Sequence, residues 1–429
     1  MKKLLIISSF LLLGLTSCNK EEKSIKQDSL PINKSDSAIY HTFSVDGKPF
    51  LVKQIGDNYY ISDDVMISKR QLNVIKNIKS SNGGKISSIR KGTHSDFIYK
   101  WTNGILYYKI ESSRRSQILQ AFSIIEAKSN IKFIERTNQQ EYVTFIDDSS
   151  EGTSYSSHIG METGANKIVA LYPTQGLGTI VHETLHALGY FHEHTRPDRD
   201  AYVAVNTSGL GQNAAFQYQK QPYSTSYGNL DFNSIMMYPS SSVMVKVGGG
   251  TWAAQRDSLS TGDIEGLNMF YGSKIIGSNN TCSNEIYTIL HPNTVTLENA
   301  IGVATLTSLG NNKWKVERIG NNSGLVTLKS INADNVISTS TINIGGDFTF
   351  TGRPIVNPGQ IYTYTVDPSV NNVTFSVGGA TILSQTSNTV RIRVLNTASN
   401  GALPYVQISA TGTSTCGVIT KTIIPDVVI

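Results

Sequence analysis

Charge is scarce in this 429-residue chain: Asp, Glu, Lys and Arg make up 16% of it, where soluble domains commonly carry about a quarter. The 37 basic and 32 acidic residues leave a net charge of +5. No basic run is long enough to follow a phosphate backbone, which excludes nucleic acid as a partner. The same shortage excludes a coiled coil and a long disordered polyelectrolyte. Cysteine is scarcer still. Three residues, Cys18, Cys282 and Cys416, cannot build a small disulfide scaffold, and there is no C-x-x-C. Past the first 13 residues no run approaches the roughly 18 apolar residues of a membrane span. Only Trp314 of the three tryptophans falls in the last third, too few aromatics for a sugar-stacking platform.

What is there instead is an apolar fraction of 39% in a chain long enough to bury a sizeable core. At roughly 150 residues per domain, the length fits about three units. Met1-Lys2-Lys3 followed by apolar Leu4 to Leu13 reads as a secretory signal. It ends in Leu15-Thr16-Ser17-Cys18, which resembles a bacterial lipobox whose cysteine becomes the lipidated first residue. The alternative is an ordinary signal peptide with a chance cysteine. Residues 19–91 read as a polar linker and a small N-terminal region with short strand-like runs at Phe50-Leu51-Val52 and Tyr59-Tyr60-Ile61. The region closes on a Ser/Asn/Gly loop and the pair Arg90-Lys91, a place for an activating protease to cut or an ordinary exposed loop.

Residues 92–274 mix strands and helices. Ile105–Ile110, Ile131–Ile134, Tyr142–Ile146 and Lys167–Tyr172 read as strands. Arg115–Lys128 places Ile118, Leu119, Phe122 and Ile125 at helical spacing. From about Ile275 the helical pattern stops, and short alternating runs bounded by Asn and Gly predict two β-sandwich-like repeats, 275–345 and 346–429. Cys282 and Cys416 lie at opposite ends of this region, as a disulfide or as two separate buried thiols.

The chemistry concentrates in His182-Glu183-Thr184-Leu185-His186-Ala187-Leu188-Gly189-Tyr190-Phe191-His192. Histidines four apart leave one face of a helix one turn apart, as two ligands of one metal must. Val181, Leu185 and Leu188 supply the buried stripe, and Thr179 is placed to cap the helix. Gly189 accepts positive φ, so the chain can turn back and deliver His192 as a third ligand. Glu183, about 100° round the helix from His182, falls beside the metal rather than on it. Three neutral imidazoles leave zinc an open position, the arrangement that lowers the pKa of a bound water toward about 7.

This run resembles the zinc signature of the metzincins, and its continuation through Glu193, Arg196, Asp198, Arg199, Asp200 and Tyr202-Val203 resembles the astacin family. Ser234-Ile235-Met236-Met237-Tyr238 is similar to that family's Met-turn, and Trp101–Ile105 and Leu259–Ile264 match the ends of its catalytic domain. The resemblance implies an α+β metzincin catalytic domain, a mixed twisted sheet plus an active-site helix, followed here by all-β sandwich-like repeats. It implies one Zn²⁺ on His182, His186 and His192, Glu183 as general base, Met236 as a hydrophobic floor and Tyr238 as oxyanion stabiliser. Glu193 takes the freed N-terminus of the mature enzyme, and residues 19–91 contain a pro-segment. In Tyr60-Ile61-Ser62-Asp63-Asp64-Val65, either Asp63 or Asp64 is the candidate inhibitory ligand, or both are simply exposed acids.

The departures are a cysteine-free catalytic region and Met237 where many members have His. The expected function is zinc-dependent endoproteolysis of proteins or peptides by an exported enzyme made as a zymogen, an outer-membrane or surface lipoprotein anchored through Cys18. Lys246 or Arg256 would favour an acidic residue after the scissile bond. The alternative is an adhesion or matrix-binding protein with a silent zinc site.

Overall fold

The computed structural model describes residues 38–77 and 98–428, apart from 46–47, 165, 223, 225, 321, 347, 369, 397–402 and 415. Cys18 with its signal sequence and the Arg90-Lys91 pair lie outside the described residues.

Among these residues, the N-terminal region forms β1 (Ile39–Val45), β2 (Lys48–Ile55), β3 (Asn58–Ser62), β4 (Val65–Ile67) and helix α1 (Lys69–Asn77). There follow β5 (Ile105–Ile110), α2 (Arg115–Lys128), β6 (Lys132–Glu135), β7 (Tyr142–Asp147), β8 (Tyr155–Ser156), β9 (Asn166–Leu171) and α3 (Leu177–Leu188). One sheet of nine strands runs β1-β2-β3-β4-β8-β9-β7-β5-β6. Strands β6, β5, β7 and β9 are parallel neighbours, and β8 turns antiparallel against β9. The N-terminal strands join this sheet by one parallel pairing, Val65 opposite Ser156. The N-terminal region is therefore an extension of the central sheet, which its weak periodicity did not predict.

Helix α2 forms over the residues its spacing predicts, burying Ile118, Ala121, Phe122 and Ile125. Leu119 is left on the exposed side and Ala121 takes its place in the core. Phe122 is the hub: its ring stacks on Phe133 at 4.0 Å, lies tilted 4.8 Å from Tyr108 and meets Phe145 edge-on at 5.3 Å. Truncating so buried a Phe to Ala costs about 3–5 kcal/mol. Next come β10 (Val203–Val205), α4 (Gln212–Phe216), β11 (Met244–Lys246) and α5 (Thr261–Tyr271), the last opened by a capping box between Ser260 and Asp263.

Beyond Ile275 the described residues contain strands and no helix. Two four-stranded sheets between Ile275 and Ile344 enclose Tyr287, Val316, Val326, Leu328 and Ile342. Sheets of four, three and two strands between Phe350 and Val427 enclose Tyr364, Val390, Ile392 and Ile408. A disulfide joins Cys282 to Cys416 across the two sandwiches. Asn130 and Asn332 lock the first sandwich to the catalytic unit. The Asn130 amide donates to the carbonyls of Gly272 and Ser273 and to Ser338 Oγ, and that of Asn332 donates to the carbonyls of Asn268 and Met269.

Candidate metal centre

Helix α3 starts three residues earlier than the sequence implies. Its N-cap is Gly176, with no side-chain cap, and Thr179 sits inside the first turn. A Cβ on Gly178 would stand 1.6 Å from the Arg256 carbonyl oxygen, so this turn admits only glycine. At the other end Gly189 adopts φ 106° and turns the chain back. The indole of Trp101 donates to the Ala187 carbonyl at 2.8 Å and the Tyr271 hydroxyl to that of Leu188 at 2.7 Å, pinning the last turn.

The three imidazoles converge. His192 Nε2 lies 3.2 Å from Nε2 of both His182 and His186. His182 Nδ1 faces the Ile235 carbonyl at 2.8 Å and His186 Nδ1 that of Tyr190 at 2.6 Å. A carbonyl only accepts, so each Nδ1 carries the proton and each Nε2 turns a lone pair inward. Burial pushes the His182 imidazole down to about 4, aided by the Arg256 charge, and burial takes His186 well below its usual value. Both stay neutral, as ligands must.

A fourth donor enters from the N-terminal region. Asp64 Oδ2 lies 3.0 Å from His192 Nε2, 3.7 Å from that of His182 and 4.0 Å from that of His186. Ser62 Oγ donates to its other oxygen at 2.7 Å, and its main-chain carbonyl accepts from Ser156 N at 2.9 Å. All four donor atoms lie within 4.8 Å of one another. Three neutral nitrogens and one carboxylate oxygen suit tetrahedral zinc, for which nitrogen ligands at about 2.05 Å would stand about 3.3 Å apart. The residues fit the ion.

Asp63 goes elsewhere. Its carboxylate pairs with Lys53 Nζ at 2.6 Å, so of the two adjacent acids only Asp64 reaches the histidines.

Glu183 is buried, and its Oε2 has no hydrogen-bond partner. Burial, with the Asp64 charge behind it, raises its pKa well above the usual range. The Tyr238 hydroxyl donates to Asp64 Oδ2 at 3.3 Å, while its ring lies 4.5 Å from His192 and stacks on His194 at 4.3 Å. His194 is not a ligand. It is buried, and its Nε2 donates to the Gln217 carbonyl at 3.0 Å, which makes it a prop for Tyr238.

Met236 lies buried with Leu185 in the main core. Its turn is held by Asp263, which accepts from Ser234 Oγ at 2.6 Å and Ile235 N at 2.9 Å. Sequence reasoning gave Asp263 no role; the capping residue before a helical run was the signal that it had one. Glu193 accepts from Arg196 and from Asp231 N, both at 2.9 Å, and borders a cavity of about 80 Å³ with Tyr190 and Met236. Arg196 also clasps Asp198 with both arms. Of the two cations considered for specificity, Lys246 lies over the Phe232 ring, whereas the charge of Arg256 acts on His182, Glu183 and Tyr238.

Residues 93–272 match the peptidase family described as Astacin. Flavastacin from Elizabethkingia meningoseptica is 30% identical over 309 residues, which span 67% of this chain and 68% of flavastacin. Nematocyst expressed protein 6 from Nematostella vectensis is 29% identical over 253 residues, 53% of this chain and 79% of that one. Among solved structures, high choriolytic enzyme 1, a hatching-enzyme zinc-protease from Oryzias latipes, aligns at 26% identity over 41% of this chain and 93% of its own, with a TM-score of 0.36. With its three-histidine zinc centre, the chain belongs to the astacin family of metalloendopeptidases.

Proposed function

We propose that this endopeptidase is made as a zymogen in which Asp64 blocks the zinc centre until the segment ahead of about residue 92 is cut away. The observation that carries the reading is the position of Asp64 Oδ2 among the three Nε2 atoms. His182, His186 and His192 would hold the zinc, which would supply Lewis acidity toward water and the scissile carbonyl.

The chain's own groups do the rest. Glu183, buried with an unpartnered oxygen, takes the proton of the attacking water and returns it to the leaving amine. Tyr238, freed from Asp64, donates a hydrogen bond from its hydroxyl to the carbonyl oxygen as negative charge builds there. Strand β8, where Val65 now pairs with Ser156, is the edge on which an extended substrate lies. Arg256 favours an acidic residue beside the scissile bond, and Arg256→Ala should remove that preference from a peptide-library profile. The lipobox-like Leu15–Cys18 supports export as an outer-membrane or cell-surface lipoprotein anchored through Cys18.

The test is casein cleavage by chain lacking residues 1–18, before and after limited trypsin, with and without a zinc chelator. Chelator-sensitive cleavage that appears only after trypsin supports the reading. A zinc-loaded, trypsin-processed chain that cleaves nothing favours a surface adhesin with a silent site.

A further inference from the structure

The end of α4 and the loop after it read Phe216-Gln217-Tyr218-Gln219-Lys220-Gln221. Phe216 and Tyr218 are buried in apolar clusters. The three glutamines between and after them turn toward the N-terminal segment and grip its main chain. Gln219 Oε1 accepts from Leu51 N at 2.9 Å, while its Nε2 donates to the carbonyls of Leu51 at 2.9 Å and Ile61 at 3.2 Å. Gln217 Oε1 accepts from Asp63 N at 3.1 Å, and Gln221 Nε2 donates to the Ile61 carbonyl at 3.4 Å. A primary amide carries the donor and acceptor of a peptide group, so it binds backbone whatever the side chain.

Two features separate this from a contact made for the pro-segment alone. Gln217 Nε2 and Gln221 Oε1 are buried and unpartnered, a costly state that the present occupant leaves unresolved. The loop is also tied to the zinc-binding run: the Gln217 carbonyl accepts from His194 Nε2 at 3.0 Å, and Gln221 N donates to the Thr195 carbonyl at 2.7 Å. The segment around Asp64 is thus held from both sides, by Ser156 of β8 on one and by Gln217 on the other.

We propose that Gln217, Gln219 and Gln221 form a backbone-reading subsite that binds the main chain of a peptide substrate once the pro-segment has left. This rests on the endopeptidase reading. Ile61 and Asp63 stand three and one residues before Asp64, so the subsite contacts substrate residues on one side of the scissile bond, out to about the third. It gives affinity without side-chain selectivity and rewards longer substrates.

The experiment uses the full chain lacking residues 1–18, processed with trypsin, as wild type, Gln219→Ala and Gln217→Ala. Two synthetic peptides share one scissile bond, one of about four residues and one of about ten. Circular dichroism and zinc content establish that each variant is folded and loaded, and the milder Gln217→Ala keeps the test alive if Gln219→Ala does not fold. Gln219→Ala, which loses the contact three residues out, should lower kcat/KM on the long peptide about three- to tenfold through KM and spare the short one, whereas Gln217→Ala, whose contact lies one residue out, should raise KM on both, with kcat held in each. Wild-type rates on both peptides would overturn the proposal and leave the glutamines as pro-segment contacts. An equal fall of kcat on both would also overturn it, as distortion of the centre. Failure of the endopeptidase reading is distinguishable, because wild type itself would then cleave neither peptide.

Discussion

Asp64 Oδ2 stands 3.0 Å from His192 Nε2, while Asp63 turns away into a 2.6 Å ion pair with Lys53. The two adjacent acids have different tasks: one reaches the metal ligands and the other fastens the segment that carries it. Lys53 is itself buried beneath the rings of Tyr60 and Phe216, so its partner is needed inside the fold.

Replacing Asp64 by Ala removes the carboxylate from the centre and leaves the Lys53–Asp63 anchor in place. Unprocessed Asp64→Ala chain should cleave a fluorogenic peptide at least tenfold faster than unprocessed wild type, and the two should match after trypsin. Equal low rates before trypsin would show that latency does not depend on this ligand.

Tyr238→Phe keeps the ring that packs on His192 and His194 and removes only the hydroxyl. Loss of one oxyanion donor typically lowers kcat about 10²- to 10³-fold. The variant should bind one zinc, keep its KM and lose kcat on that scale. A loss in KM alone would assign the hydroxyl to substrate binding instead.

The catalytic centre was legible in the sequence because its geometry is local. A helix fixes His182, Glu183 and His186 by their spacing, and one glycine at φ 106° brings back His192. The β-rich tail was legible from alternation, which Val326, Leu328 and Ser330 follow by all turning inward along one strand. Which acid stands beside the histidines was not, since Asp63 and Asp64 are chemically alike. Only the pairing of β4 with β8 decides which one faces the histidines. The glutamine contacts were equally hidden, because they join residues more than 150 positions apart. Thr179 failed as a cap because the helix begins at Leu177 with Gly176 at its N-cap, which leaves Thr179 inside the first turn.

The Cys282–Cys416 bridge spans 134 residues and ties one sandwich to the other. Removing a cross-link across so long a loop costs about 2–5 kcal/mol. Cys282→Ser/Cys416→Ser should lower the denaturation midpoint of the C-terminal region while the processed enzyme cleaves short peptides at the wild-type rate. An unchanged midpoint would mean the sandwiches hold together without the bridge.

Burial, with the Lys167 and Arg70 charges behind it, depresses the His158 imidazole to about 3. Between about pH 6.5 and 3 the unfolded chain binds this proton and the folded chain does not, so stability falls as pH drops through that window. Urea unfolding of the precursor at pH 7 and pH 5 should show the loss, and His158→Gln should reduce the difference between them. An identical pH dependence in the variant would remove His158 from the account.

The most direct test replaces Glu183, the buried acid whose free oxygen faces no partner. Trypsin-processed Glu183→Gln should hold one zinc per chain, unfold like wild type and cleave casein at least 10²-fold more slowly, the scale of a lost general base. Full zinc occupancy together with wild-type cleavage would contradict the assignment of Glu183 and the mechanism built on it.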